Sequence, residues 1–222
     1  IGFDSMGTSV TTASNNVVIG GIAGANMTTA TDSVLIGANA GSSMTTATDS
    51  VLIGKDAGAS ITTAPNVVLV GQDAGTGVTT GGENTIIGSN AGETITTGSR
   101  NTIIGSAAVA SSGANSVFAT IIGREAEATS SSVAVGSGAA VAGATGVAVG
   151  NGARTASNAP NGIALGLGAN ATLQGTVGNV AIGSQVSPVS LTQPEEFSAS
   201  FEYLNVTING DQYYIRLYKS GE

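Results

Sequence analysis

The sequence contains no cysteine, no histidine and no tryptophan among its 222 residues. The absence of cysteine excludes disulfides and thiolate chemistry. The absence of both cysteine and histidine removes the most common nucleophiles and general bases, and the carboxylates are dispersed along the chain instead of gathered in one segment. We therefore expect a protein that is not an enzyme and that has no cofactor.

Charged residues are also scarce, at 9% of the chain, with a net charge of −8. The six lysines and arginines are scattered between Lys55 and Lys219, so no basic patch is available and no nucleic-acid partner is expected. No apolar run approaches the roughly 20 residues that a membrane-spanning helix needs, so we expect no membrane insertion. Ile1-Gly2 resembles the end of a repeat, which predicts that the sequence begins partway through a longer protein.

Aromatic residues make up only 4% of the chain, whereas hydrophobic residues as a whole reach 41% and 34 residues are glycine. Such a composition is too apolar for a disordered chain and too poor in bulky side chains for a thick interior. It predicts a thin core built from alanine and from branched aliphatic side chains.

A short strand that ends in glycine recurs five times in succession with a constant 17-residue period. The successive copies are Val17-Val18-Ile19-Gly20, Val34-Leu35-Ile36-Gly37, Val51-Leu52-Ile53-Gly54, Val68-Leu69-Val70-Gly71, Thr85-Ile86-Ile87-Gly88 and Thr102-Ile103-Ile104-Gly105. An apolar residue followed by a Thr pair, first Met27-Thr28-Thr29, also repeats and predicts a second strand in each coil. Each coil would then hold two short strands and two turns.

The same glycine-ended strand continues after residue 105 at irregular spacings of between thirteen and eighteen positions. The whole set predicts an all-β, parallel β-roll or solenoid of about eleven short coils over residues 1–183, because a solenoid accepts turns of variable length while its strands stay stacked. At each corner the glycine predicts a positive φ or a close backbone approach. These structural corners are Gly20, Gly37, Gly54, Gly71, Gly88, Gly105, Gly123, Gly136, Gly150, Gly166 and Gly183.

The three apolar residues of each strand cannot all point inward, because side chains on a strand alternate between its two faces. One face of the solenoid would therefore remain apolar and need covering. Association of several copies about a common axis would cover it, so we expect a homo-oligomer.

Three segments resemble the YadA-like head repeats of trimeric autotransporter adhesins, which also occur in phage tail fibres. They are Ser132 to Ala139, Gly146 to Ala153 and Val180-Ala181-Ile182-Gly183, with Val-Ala-Val-Gly repeated at a spacing of 14. The resemblance covers roughly residues 1–183 and is strongest from 132 to 183. It implies a homotrimeric, left-handed parallel β-roll; the 17-residue coils are longer than the family's usual unit.

Residues 184–222 form a different segment, with six of the eight Phe and Tyr residues of the chain after position 196. Asn209-Gly210 predicts a β-hairpin in a small antiparallel C-terminal unit, with Ile208 opposite Asp211. Counting outward places an aromatic set with one arginine on one face, which is the candidate receptor-binding site: Phe201, Tyr203, Tyr214, Arg216 and Tyr218. The competing interpretation is that these residues only cap the open end of the trimeric solenoid, and we favour this interpretation.

Three other patterns have a structural and a functional interpretation. Asp32 and Asp49, like Asp56 and Asp73, are one period apart and could form a calcium ladder, but the equivalent positions in later coils are not consistently acidic, so we expect a solvated corner and no metal. The Thr pairs could order water in an ice-binding protein. Because threonine is also a good strand residue, a structural ladder is favoured. Short Gly-x-Gly segments complete no phosphate-binding pattern and are interpreted as turns.

The sequence thus predicts a structural fibre and adhesion protein, the distal part of a phage tail fibre in the virion, that binds a host cell-surface glycan or protein. The alternatives are the head of a bacterial trimeric adhesin on the cell surface and a spacer that binds nothing itself.

Overall fold

A computed structural model describes residues 12–157, 160–171, 180–182, 202–208 and 211–217, the last two ranges as backbone strands. The solenoid expected from the repeats is present, and it is a parallel β-solenoid of about nine turns. The sequence predicted about eleven coils, and the long sheet of the solenoid contains eleven stacked strands.

The long sheet contains one three-residue strand from every coil. In stacking order its strands are β1 Val17–Ile19, β2 Val34–Ile36, β3 Val51–Ile53, β4 Val68–Val70, β5 Thr85–Ile87, β6 Thr102–Ile104, β8 Thr120–Ile122, β10 Val133–Val135, β12 Val147–Val149, β14 Ile163–Leu165 and β16 Val180–Ile182. All pair in parallel and in register, so equivalent residues of successive coils lie beside one another, as Val34 does beside Val51.

A second, shorter sheet is confined to the coils after residue 105. Its two-residue strands are β7 Val109–Ala110, β9 Glu127–Ala128, β11 Ala140–Val141, β13 Arg154–Thr155 and β15 Asn170–Ala171. A single turn of 3-10 helix, Gly113–Asn115, precedes β8.

The prediction of a second strand at Met27-Thr28-Thr29 and its equivalents was wrong for the 17-residue coils. The amides of Thr28 and Thr29 both donate to the carbonyl of Thr45, at 3.0 and 3.2 Å. In a parallel ladder successive amides of a strand do not converge on one carbonyl, so the backbone bends here instead of extending. These segments still stack on each other, but as bends.

The core is a column of side chains that changes in size along the solenoid. The middle residue of each strand points inward and is buried; it is Leu or Ile from β2 to β8 and Ala from β10 to β16. In the 17-residue coils a second column of larger side chains fills the remaining space: Met27, Met44, Ile61, Val78 and Ile95. The interior is thus thin, and thinner where the coils are shorter.

Two seven-residue strands near the C-terminus, β17 Glu202–Ile208 and β18 Asp211–Leu217, pair antiparallel. Ile208 lies opposite Asp211 and Tyr203 opposite Arg216, which is the register counted outward from Asn209-Gly210. The turn itself lies outside the described residues, and that these strands form a cap remains a prediction.

Candidate functional site

The long sheet presents an apolar outer face. On either side of each buried middle residue, the first and third residues of the strand point outward and are half-buried or exposed. At the ends of the sheet the exposed fraction reaches 42% for Ile19 and 65% for Ile182. Equivalent residues form rows along the solenoid, and the row of third residues, here called the aliphatic row, has no polar member among the eleven strands: Ile19, Ile36, Ile53, Val70, Ile87, Ile104, Ile122, Val135, Val149, Leu165 and Ile182.

The outer face is comparable in size to the largest apolar patch of a typical monomeric protein. Eleven strands about 4.8 Å apart make it about 50 Å long, and the two outward rows with their side chains make it about 10 Å wide. The resulting footprint, on the order of 500 Å², is at the upper end of the apolar patches that monomeric proteins expose. The row of first residues is also aliphatic, except for Thr85, Thr102 and Thr120 near its middle.

The corner glycines have both features that the sequence predicts for them. Gly54 has φ +137°, and a Cβ added there would lie 2.2 Å from the carbonyl oxygen of Gly71 in the next coil. The same approach, between 2.2 and 2.5 Å, occurs at the corners from Gly20 to Gly150, and Gly166 has φ +116°. Gly183 lies outside the described residues.

The structure describes the C-terminal candidate residues only as members of paired strands. Tyr203 lies opposite Arg216, and Tyr214 lies opposite Asn205. Phe201 and Tyr218 lie outside the described residues. These positions bring two tyrosines and the arginine onto one hairpin, and their role in binding remains a prediction.

The aspartates considered for calcium occupy corners with a left-handed backbone. Asp32 and Asp56 have φ +55° and +56°, a conformation that Asn and Asp tolerate better than other residues with a side chain. Asn15 donates to Asp32 at 2.9 Å and Asn39 to Asp56 at 2.8 Å, so the side chains of successive coils bond to each other. In the described part of the chain no cluster of three acidic side chains could hold a metal ion.

Asp56 also has an altered ionisation. Lys55 lies 2.7 Å from it, and the hydrogen bonds from Lys55 and then Asn39 hold the pKa of the Asp56 carboxyl below its ordinary value. In return, the hydrogen bond to Asp56 raises the pKa of Lys55. The backbone preference and these contacts give Asp32 and Asp56 a structural role at their corners.

The two threonines of each pair have different environments. The first is half-buried, and in the first four pairs its hydroxyl donates to the backbone of the next coil, as from Thr45 to the carbonyl of Thr62 at 3.0 Å. The second, such as Thr46, is exposed. Only the second threonine of each pair therefore forms an exposed row, and the first belongs to the structural ladder.

An aromatic residue that the sequence reasoning missed lies on the side of the solenoid. Phe118 is 54% exposed, and the guanidinium carbon of Arg100 lies 5.5 Å from the centre of its ring. Arg100 in turn contacts Glu83 through two hydrogen bonds of 2.9 and 3.3 Å, which raise the pKa of Arg100. Extending the row Asp32, Asp49, Asn66, Glu83 and Arg100 by one coil would have found Phe118, but the period changes at this coil and hid the equivalence.

The fold defines this chain as a parallel β-solenoid with one apolar outer face. In the described residues no helix has the length and hydropathy needed to cross a bilayer. Comparison with protein-family models, with curated proteins and with solved structures finds no match for the chain.

Proposed function

We propose that this chain is the distal part of a homotrimeric phage tail fibre and attaches the virion to a receptor on the host surface. The observation that carries the proposal is the aliphatic row, which runs the length of the long sheet without a polar residue. A face of this size is costly to leave in water, and a second and third copy of the chain offer an identical face to cover it.

A common axis parallel to the solenoid suits this face. Because the row is continuous over eleven strands, copies that lie side by side in register bury it along its whole length. Two neighbours per copy, as in a closed ring of three, also cover the row of first residues. The number three follows from the resemblance to YadA-like head repeats, whose members are trimeric.

Attachment is supported by the same resemblance and by the shape of the chain. A rod about 50 Å long holds its end away from whatever carries it. Three copies of even a weak contact residue at one end bind much more tightly together than singly, because the second and third contacts form at high effective concentration. Tyr203, Tyr214 and Arg216 are the proposed contact residues for a glycan or protein receptor.

Mass in solution tests the assembly. Sedimentation equilibrium of the purified protein should give about three times the 21.3 kDa of one chain. Ile87→Lys places a charge in the middle of the aliphatic row and should lower the mass, whereas Thr80→Lys, at an exposed corner outside the outer face, should not. A stable, soluble monomer of the unaltered protein would refute the trimer.

Binding to host cells tests the attachment. The purified trimer should bind cells of a susceptible host, and Tyr214→Ala and Arg216→Ala should weaken that binding while the trimer persists. Asp211→Ala, on the same strand but on its opposite face by the alternation of side chains, is the matched control. Equal binding by all three variants would remove the hairpin as the contact, and co-purification with an outer membrane instead of virions would show a bacterial adhesin.

A further inference from the structure

We propose that Phe118 and Arg100 form a platform on the side of the solenoid that binds a neutral or weakly acidic saccharide. The residues of the platform are not among those of the C-terminal strands or of the two rows on the apolar outer face. As a receptor contact it rests on the proposed attachment function, whereas saccharide binding itself does not depend on it.

The backbone at Phe118 does not suit its side chain. Phe118 has φ +56°, in the left-handed region that bulky residues rarely adopt. The equivalent positions in the other coils share this conformation and carry polar side chains instead: Asn15, Asp32, Asp49, Asn66, Glu83, Arg100, Ser131, Thr145 and Asn161. More than half of the Phe118 side chain is exposed, so burial does not compensate for the strain. A strained residue that the fold does not require is a sign of function.

The ring lies between a guanidinium and a small side chain. Arg100 packs over Phe118 from the preceding coil, and its guanidinium donates two hydrogen bonds to Glu83. The next coil carries Ser131 at the equivalent position, a side chain too small to cover a phenyl ring. The arrangement leaves an apolar surface the size of one ring beside a hydrogen-bond donor.

The coil that carries Phe118 also carries exposed polar side chains. The coil between the corner glycines Gly105 and Gly123 is the longest, and it contains the 3-10 turn Gly113–Asn115. Ser112 precedes this turn and Asn115 is its last residue; both are exposed, and Asn115 contacts the Thr97 hydroxyl of the preceding coil. A pyranose is bound by an exposed ring together with polar groups, because its C–H face packs on the ring while its hydroxyls form hydrogen bonds.

Other ligand classes fit less well. One exposed ring on a polar surface is far smaller than the roughly 800 Å² per partner that a specific protein interface buries. A quaternary ammonium group would compete with the Arg100 guanidinium, which already lies over the ring. Because Glu83 neutralises Arg100, a strongly anionic ligand gains little charge complementarity. A saccharide remains the ligand class that these contacts favour.

Fluorine NMR of the intact protein tests the site directly. The chain has four phenylalanines, so labelling with 4-fluorophenylalanine gives four signals per chain, and Phe118→Tyr assigns the one from position 118. The probes are the methyl glycosides of glucose, galactose, N-acetylglucosamine and glucuronic acid, with choline as the cation control. At least one glycoside should shift the Phe118 signal with saturation. A signal that moves with none of them, or with choline alone, would overturn the proposal.

Phe118→Asn provides the matched variant, because Asn suits the left-handed backbone. Its melting temperature should equal or exceed that of the unaltered protein, and its binding to host cells should fall at least about tenfold because all three copies lose the contact. Phe118→Tyr keeps the ring and should bind cells normally. If the unaltered protein and Phe118→Asn bind cells equally, the platform is not a receptor contact, although attachment stands. If the unaltered protein binds no cells but a glycoside still shifts the Phe118 signal, attachment fails and the saccharide site stands.

Discussion

The coils before residue 105 and those after it are built on the same ladder with different interiors. Both halves contribute three-residue strands to one continuous long sheet, with equivalent residues in register across the boundary at β6 and β8. The earlier coils keep the 17-residue period and a core of Leu, Ile and Met, whereas most of the later ones are shorter and have Ala at the middle of the strand from β10 onward. Coil length and core volume therefore change together, while the strand and its corner stay constant.

This difference distinguishes the constant part of the repeat, which is the strand and its corner glycine, from the variable part, which is the core side chains. The corner glycine has a similar φ and the same close approach in both halves. A second glycine of the 17-residue coils lies against the core instead: a Cβ on Gly41 would lie 2.7 Å from the Leu35 side chain.

The largest effect should come from a corner glycine, equally in both halves. Gly54→Ala and Gly136→Ala each place a Cβ within 2.2 and 2.4 Å of a backbone carbonyl that the ladder holds in place. We expect each to lower the free energy of unfolding by more than about 3 kcal/mol, measured by denaturant unfolding. Gly138→Ala, with a positive φ and open space, is the control at about 1 kcal/mol. Equal losses at Gly54 and Gly138 would contradict the close-approach explanation.

The next largest effect should come from exchanging the core residues of the two halves. Leu52→Ala leaves a cavity in a 17-residue coil and should cost about 3 kcal/mol. Ala148→Leu overfills a shorter coil and should cost about 1 to 3 kcal/mol. Both are measured as changes in the free energy of unfolding, with exposed Thr63→Ala as the control. A neutral Ala148→Leu would show that coil length does not limit the core.

A smaller effect is expected at the boundary between the halves, where Asn101 is buried. Its amide donates to the carbonyl of Ser116 at 2.7 Å, and its oxygen accepts from the amide of Ala119 at 2.9 Å. Asn101→Ala leaves both groups without this partner and should cost about 2 kcal/mol in thermal or denaturant unfolding. Asn101→Ser, which matches Ser33 and Ser50 in the same row, should cost less. The idea fails if the serine variant is the less stable of the two.

The smallest effect should appear only in acid, and the carboxylate that carries it, Asp56, lies in the first half. Lys55 and Asn39 lower the pKa of Asp56, so the charged carboxylate stabilises the folded state above the ordinary value of 3.8. This contribution disappears as the pH falls through the lowered pKa. Melting temperatures measured from pH 5 to 2 should fall slightly more for the unaltered protein than for Asp56→Asn. Parallel curves would remove Asp56 from the acid response.

The sequence predicted the long sheet well because three aliphatic residues before a glycine form an extended strand and a corner by local preference alone. It failed at Met27-Thr28-Thr29, where strand propensity is high but the amides of both threonines turn to one carbonyl in the next coil. That choice depends on stacking, which no local pattern contains. The exposed Phe118 was also missed in the sequence analysis, for a similar reason. Its place between Ser131 and Arg100 depends on which positions of successive coils become neighbours.

The identical register of the 17-residue coils also bears on how such a chain changes its length. Val34 meets Val51 as Val51 meets Val68, so a block of one full period removed or duplicated between β1 and β6 leaves each remaining residue beside an equivalent neighbour. Each added block lengthens the rod by about 4.8 Å. Unequal recombination within the gene would therefore change the length of the rod in fixed steps while the fold stays the same.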